Sequence, residues 1–299
     1  MTDRAVPTDR PAPTDRLDEF GGRQVRWLRR PGSGVPVLLL GGCGVPYPMW
    51  HEVLAASPDA DLIRMDRPGM SGSRWPGVLP TLAAEVGTLA GLITAVGEPV
   101  IIVGHSMAGP HAEALARRHP TLVTGIALLD GSLSWRPRPS RAELGWLAAS
   151  RLLRVRPKVP LVPEVTVKLQ RQLAAAQSVR SDPESMAALN DTYRDRQTLA
   201  MVAAESAAYG RQLTDLARLR RSVPMPEVPV LVLTAADGGP RNWVEDQARL
   251  ATLLGGRQRV LQHCRHLIML DRPDAVAQAI ADLQQQATTN GFGHRGGQP

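Results

Sequence analysis

Hydrophobic positions along this 299-residue chain alternate between two kinds of run. Short, nearly continuous apolar stretches recur at "VPVLLL" (35–40), "DLIRMD" (61–66), "PVIIVG" (99–104), "LVTGIALLD" (122–130) and "VPVLVLTA" (228–235). Runs of that length, apolar at successive positions, predict strands buried on both faces. "RQVRWLRR" (23–30) and "RQRVLQH" (257–263) predict further strands. Between them lie longer stretches with apolar residues three and four apart: 81–97, 110–119, 242–256 and 274–286. These predict amphipathic helices, the third stopped by Gly255 and Gly256. Strand and helix in alternation predict an α/β fold, a mostly parallel sheet with helices on both faces.

The alternation stops over residues 133–226, where the pattern is helical throughout and Pro-rich links separate the runs. This segment is expected to be a helical cap inserted into a core formed by 22–132 and 227–286. Residues 1–21 repeat Thr-Asp-Arg three times without apolar periodicity, and 287–299 are polar and Gly-rich. Both ends are expected to be disordered tails.

Composition narrows the function classes. The net charge is +7, yet the basic residues are scattered and only Lys158 and Lys168 are lysines. Aromatic content is 4% and no nucleic-acid motif is present, so no nucleic-acid partner is expected. No apolar run is long enough to span a bilayer. The N-terminus lacks the apolar core of a signal peptide. Cys43 and Cys264 form no disulfide framework. A cytoplasmic protein without a membrane partner is the expectation.

The chemistry concentrates where apolar runs end. Gly104-His105-Ser106-Met107-Ala108-Gly109 fits G-x-S-x-G between a strand and a helix. A sharp turn there lifts the serine hydroxyl out of the sheet, and the helix start offers free N–H groups to an oxyanion. A serine hydroxyl needs a base. His266, in the loop before the last helix, is the best candidate and His263 its rival. His51, His111 and His119 lie on helical stretches, His105 is expected to point away, and His294 falls in the tail. The base needs a carboxylate to hold its tautomer. Asp130 and Asp237 both sit at strand ends, and the residues leave the choice open. The Gly41-Gly42-Cys43-Gly44 strand end suits close approach to a ligand, with the Cys43 N–H joining that of Met107 in an oxyanion hole. Gly42, Met49, Trp50, Trp75, Trp135 and Trp146 are candidate substrate-binding residues, with Leu147 and Met186 beside them. Neither a cofactor nor a metal is expected.

With "GHSMAG", "RMDRPGMSGS" and "HLIMLDRPDAVAQAI" in that order, the chain resembles the α/β-hydrolase superfamily, in its esterase-like group with a helical cap. The resemblance implies that Asp66-Arg67-Pro68-Gly69 is a structural turn. It departs at Gly41-Gly42, where such proteins usually carry His-Gly, and at "TAADGG", where the usual acid lies beyond a glycine. Asp130 matches the other acid position of the superfamily, and the resemblance favours it over Asp237. Relatives of this fold include epoxide hydrolases and dehalogenases with an aspartate nucleophile. A serine at 106 instead implies an acyl-enzyme and a small-molecule acyl substrate, such as an ester. Acyl transfer, C–C hydrolysis, lyase chemistry, cofactor-free peroxidation and, last, non-catalytic ligand binding are the alternatives.

Overall fold

The computed structural model describes residues 13–137, 142–155, 161–180 and 182–289. Eight strands form one sheet: β1 (Thr14–Phe20), β2 (Arg23–Arg30), β3 (Ser33–Leu40), β4 (Ala60–Asp66), β5 (Val100–His105), β6 (Val123–Leu129), β7 (Val230–Ala235) and β8 (Arg257–Leu261). Their spatial order is β1-β2-β4-β3-β5-β6-β7-β8. The β1–β2 and β2–β4 pairs are antiparallel and every other pair is parallel. The helices outside the insertion are α1 (His51–Ala56), α2 (Leu82–Val96), α3 (Ala108–Arg118), α8 (Trp243–Leu253), α9 (Ile268–Asp271) and α10 (Pro273–Thr289).

The apolar runs are strands because both of their faces are covered. Val100 and Ile102 join one core with residues of α2 and α3, while Ile101 and Val103 join a second core with residues of α10. Each fully buried side chain of this size contributes about 1.5–3 kcal/mol of transfer free energy. These two cores fix the register of the central strands, and with it the height at which β5 and β6 release their chains.

Between β6 and β7 lie α4 (Ala142–Val155), α5 (Leu161–Ala176), α6 (Pro183–Arg194) and α7 (Arg196–Ser222). The sequence from 183 to 219 reads as one helical run, and the structure divides it at Asp195, whose extended backbone (φ −80°, ψ 122°) ends α6. Its carboxylate then accepts from the Gln197 N–H and caps α7.

Both expected tails require correction. Thr14–Phe20 is a strand, joined to β2 through Gly21 and Gly22, whose φ values of 60° and 73° suit a two-residue hairpin turn. Apolar alternation is missing because β1 is an edge strand held by polar partners. Asp15 takes a two-pronged bond from Arg26, and Asp18 accepts from the Trp27 indole. At the other end α10 continues to Thr289 and buries Ala287. Residues 1–12 and 290–299 lie outside the described residues.

Asp66 closes β4 and is buried, its Oδ1 accepting from the Tyr47 N–H at 2.8 Å. Burial pushes its carboxyl up to about 7, and the Tyr47 hydrogen bond only partly offsets this. The folded chain therefore keeps a proton that the unfolded chain releases near pH 4. That stabilisation is present below the unfolded value and is lost as pH rises through about 7. Asp66→Asn keeps the acceptor and removes the titration. Thermal denaturation at pH 5 and pH 8 is expected to show the wild type losing stability relative to Asp66→Asn, by on the order of 3 kcal/mol.

Candidate active site

Ser106 follows the last residue of β5 and precedes α3, with φ of 52°. A non-glycine residue in this left-handed region is strained, and the ladder on either side holds it there. The Ser106 N–H donates to the Leu129 carbonyl, and the Ser106 carbonyl accepts from the Gly109 and Ser132 N–H groups. Asp130 leaves β6 in the same way, with φ of 48°. Both side chains are thus turned out at the carboxyl edge of the sheet.

His266, in the loop between β8 and α9, bridges them. Its Nδ1 lies 2.8 Å from Asp130 Oδ2, and its Nε2 lies 3.0 Å from Ser106 Oγ. A carboxylate only accepts, so Nδ1 carries the proton and Nε2 presents its lone pair to the serine hydroxyl. Asp130 is buried, and its other oxygen accepts from the Ala235 N–H at 3.1 Å and the Trp243 indole at 2.6 Å. Asp237, the alternative acid, is exposed, and its backbone N–H donates to the Cys264 carbonyl. It makes no bond to His266. His263, the rival base, is exposed as well.

His105 is missed as a contributor by the sequence reading. It is buried at the end of β5, with its ring centroid 4.7 Å from that of His266. Its Nδ1 accepts from the Gly42 N–H at 3.3 Å, so its Nε2–H donates to the His266 carbonyl at 2.9 Å. Burial, reinforced by the neighbouring His266, holds its pKa well below the usual histidine value, so it stays neutral. One imidazole therefore ties the Gly42 loop to the His266 loop.

Gly42 lies against the serine: a Cβ there would come within 2.8 Å of Ser106 Cβ. The Cys43 and Met107 N–H groups that flank it have no hydrogen-bond partner among the described residues. Burial, with the Glu205 charge nearby, pushes the Cys43 thiol up to about 12. The thiol is protonated at neutral pH, which removes it as a nucleophile. A second hydroxyl, Ser132 Oγ, stands 3.3 Å from Ser106 Oγ.

The other substrate-binding candidates do not gather at Ser106. Met49 and Trp50 are fully buried in the core on the α10 face, where their apolar bulk is packing material. Trp135 donates to Asp246 of α8 and lies under the Arg249 guanidinium. Trp146 is largely exposed on α4. Trp75 and Leu147 line a groove of about 280 Å³ with Val78, Leu79, Ser150 and Arg151. Met186 packs against the α10-side core.

A metal site was not expected. Outside this constellation, His51, Glu52 and Asp182 bring ligand atoms within 4.8 Å of one another. Asp182 is already engaged as the cap of α6, accepting from the Ser185 N–H, and Arg180 lies 3.7 Å from Glu52.

A mostly parallel sheet that presents Ser106, His266 and Asp130 at its carboxyl edge is the architecture of a hydrolase. The chain belongs to the alpha/beta hydrolase family, whose model matches residues 37–279. A lipase of Mycobacterium tuberculosis strain ATCC 25618 / H37Rv, LipV, is 31% identical over 105 residues, 35% of this chain and 40% of that protein. The match thus spans less than half of the curated relative. Among solved structures, the serine hydrolase CarC, involved in carbazole degradation, superposes with a TM-score of 0.69 at 20% identity, over 92% of this chain and all of that one. A haloalkane dehalogenase loop variant from Bradyrhizobium elkanii, DbeA-M1, gives 0.70 at 18% identity, over 94% and 99%. At such identities these two structures establish the fold alone. Among the described residues, no helix is long and apolar enough to cross a membrane.

Proposed function

We propose that this chain is a serine hydrolase that cleaves a carboxylic ester or related acyl compound through an acyl-enzyme on Ser106. The observation that carries the reading is the unbroken hydrogen-bond line from Asp130 Oδ2 through His266 to Ser106 Oγ, at 2.8 and 3.0 Å. Ser106 gives its proton to His266 Nε2 as Oγ attacks the carbonyl carbon. The carbonyl π pair moves onto oxygen, where the Cys43 and Met107 N–H groups receive it. Asp130 holds the imidazole tautomer and offsets the imidazolium charge. Collapse expels the leaving alkoxide, which takes the proton from His266. Water then attacks the acyl-enzyme by the same steps in reverse roles, releasing the acid and restoring Ser106.

The partial match to LipV, a lipase, supports the same class of chemistry. The helices over 133–226 act as a cap that selects the acyl or alcohol group, and the substrate is a small molecule. A fluorophosphonate probe tests the nucleophile directly. One phosphonyl group per native chain is expected, on the tryptic peptide containing Ser106. Absence of labelling by the folded protein would reject the acyl-enzyme. Turnover of p-nitrophenyl esters of increasing chain length, with and without added alcohol, then separates hydrolysis from acyl transfer.

A further inference from the structure

The loop Gly41–Gly44 has its carbonyls held almost one by one. Arg67 Nη1 donates to the Gly41 carbonyl and Nη2 to the Gly42 carbonyl, each at 2.6 Å. The Tyr193 hydroxyl of α6 donates to the Gly44 carbonyl at 2.8 Å. Arg67 is itself gripped by Glu205 of α7, through Nε at 2.5 Å and Nη2 at 3.1 Å, and both residues are buried. This pair is not part of the turn role that the resemblance assigned to Arg67.

The consequence for the site follows from peptide geometry. A trans peptide is planar, and its C=O and N–H point in opposite directions. The Gly42 carbonyl and the Cys43 N–H belong to one such plane. Holding the carbonyl on Arg67 therefore aims the Cys43 N–H the other way. Arg67 alone would be an uncompensated buried cation, a costly arrangement. Glu205 supplies the compensation and fixes the orientation of the guanidinium with two bonds.

Helix α7 is built for this contact. Its residues Thr198, Val202, Glu205, Tyr209 and Gln212 recur every three or four positions, so they share one face. Thr198 reaches the Gly69 carbonyl, the Val202 carbonyl and Ser206 approach the Cys43 thiol, and Gln212 reaches His111. The contacts to Cys43 and His111 fall on the Gly42 loop and on α3, the two elements that adjoin Ser106.

We infer that Glu205, acting through Arg67, is a positioning residue for the oxyanion-binding Cys43 N–H, which makes α7 a component of the reaction site rather than a cover over it. The inference rests on the acyl-enzyme reading for its kinetic consequence, but not for its structural one. Glu205→Gln weakens the pair. The double variant Arg67→Met with Glu205→Leu removes both charges, so that no unpaired ion is buried, and takes the side-chain donor from both loop carbonyls, leaving that of Gly42 only the Val45 N–H at 3.1 Å.

With p-nitrophenyl butyrate, both variants are expected to lose 10- to 100-fold in kcat with KM within threefold of wild type. Affinity for a trifluoromethyl ketone, which forms the tetrahedral adduct, is expected to fall in parallel with kcat. Amide exchange of the peptide carrying Gly41–Gly44 is expected to accelerate. A folded double variant with kcat within threefold of wild type overturns the inference. So does a loss expressed in KM, which would make the pair part of the substrate pocket. If neither variant folds, Glu205→Asp, which keeps the charge and shortens its reach, decides: a fall in kcat of fivefold or more with KM unchanged is expected, and kcat within twofold of wild type overturns the coupling. A native chain that takes no fluorophosphonate rejects the proposed reaction, while the exchange data still report on the positioning.

Discussion

Ser106→Ala is expected to lower kcat on p-nitrophenyl esters by about a million-fold, to the floor of the assay, and to abolish fluorophosphonate labelling. In the proposed reaction the Ser106 oxygen bonds to the acyl group, and its removal leaves His266 without a proton to take. The effect is chemical and not conformational. Alanine occupies the same backbone position at the same φ of 52°, and the bonds that hold the turn are made by the Ser106 backbone, not by its side chain. His266 is only partly buried, so its Nε2 regains a partner from water when the serine is shortened. The melting temperature is therefore expected to stay within a few degrees of wild type. Ser132 Oγ, 3.3 Å from the lost hydroxyl, makes the experiment discriminating. If Ser106→Ala kept a measurable rate and a phosphonyl group were found on Ser132, the nucleophile assignment would fall. Mass mapping of the labelled peptide reads this directly.

The framework and the places of Ser106 and His266 at the sheet edge were legible in the sequence because they obey local rules. A strand buried on both faces shows itself as a continuous apolar run, and the turn around Ser106 needs small residues at fixed offsets. His266 was legible from its place before the last helix. What escaped reading depends on contacts between residues far apart in the chain. Trp243 looks like the start of an ordinary helix, and only the fold brings its indole to Asp130. Arg67 looks like part of a turn, and its partner Glu205 lies 138 residues away. His105 alternates along a strand, and nothing local reveals that its two nitrogens join two loops. The large apolar side chains misled for the opposite reason. Trp50 and Met49 carry the same hydrophobic signal whether they line a pocket or fill a core, and the structure puts them in the core. β1 was missed because six of its seven residues carry no apolar alternation: it is held by pairing with β2 and by the Asp15–Arg26 ion pair, and only Phe20 at its end enters the core.

Asp130→Asn is expected to lower kcat on the same esters about ten-thousand-fold, whereas Asp237→Asn is expected to stay within twofold of wild type. Both residues follow a strand end, and their environments separate them. Asp130 Oδ1 accepts from two donors, the Ala235 N–H and the Trp243 indole N–H. In Asp130→Asn those donors keep the amide oxygen at the Oδ1 position, since an NH2 group placed there would face two N–H groups. The amide nitrogen is then forced toward His266 Nδ1. A donor at that point requires Nδ1 to be the acceptor, which moves the imidazole proton to Nε2. Nε2–H cannot take the Ser106 proton, so the base is lost while the packing around it is kept. Asp237 is exposed, bonds neither ring nitrogen of His266, and engages the adjoining loop through its backbone N–H, which asparagine retains. The measurement is kcat for the two variants side by side, with circular dichroism to show that both are folded. A large loss in Asp237→Asn with little change in Asp130→Asn would reverse the assignment and require the His266 loop to adopt a different arrangement during the reaction.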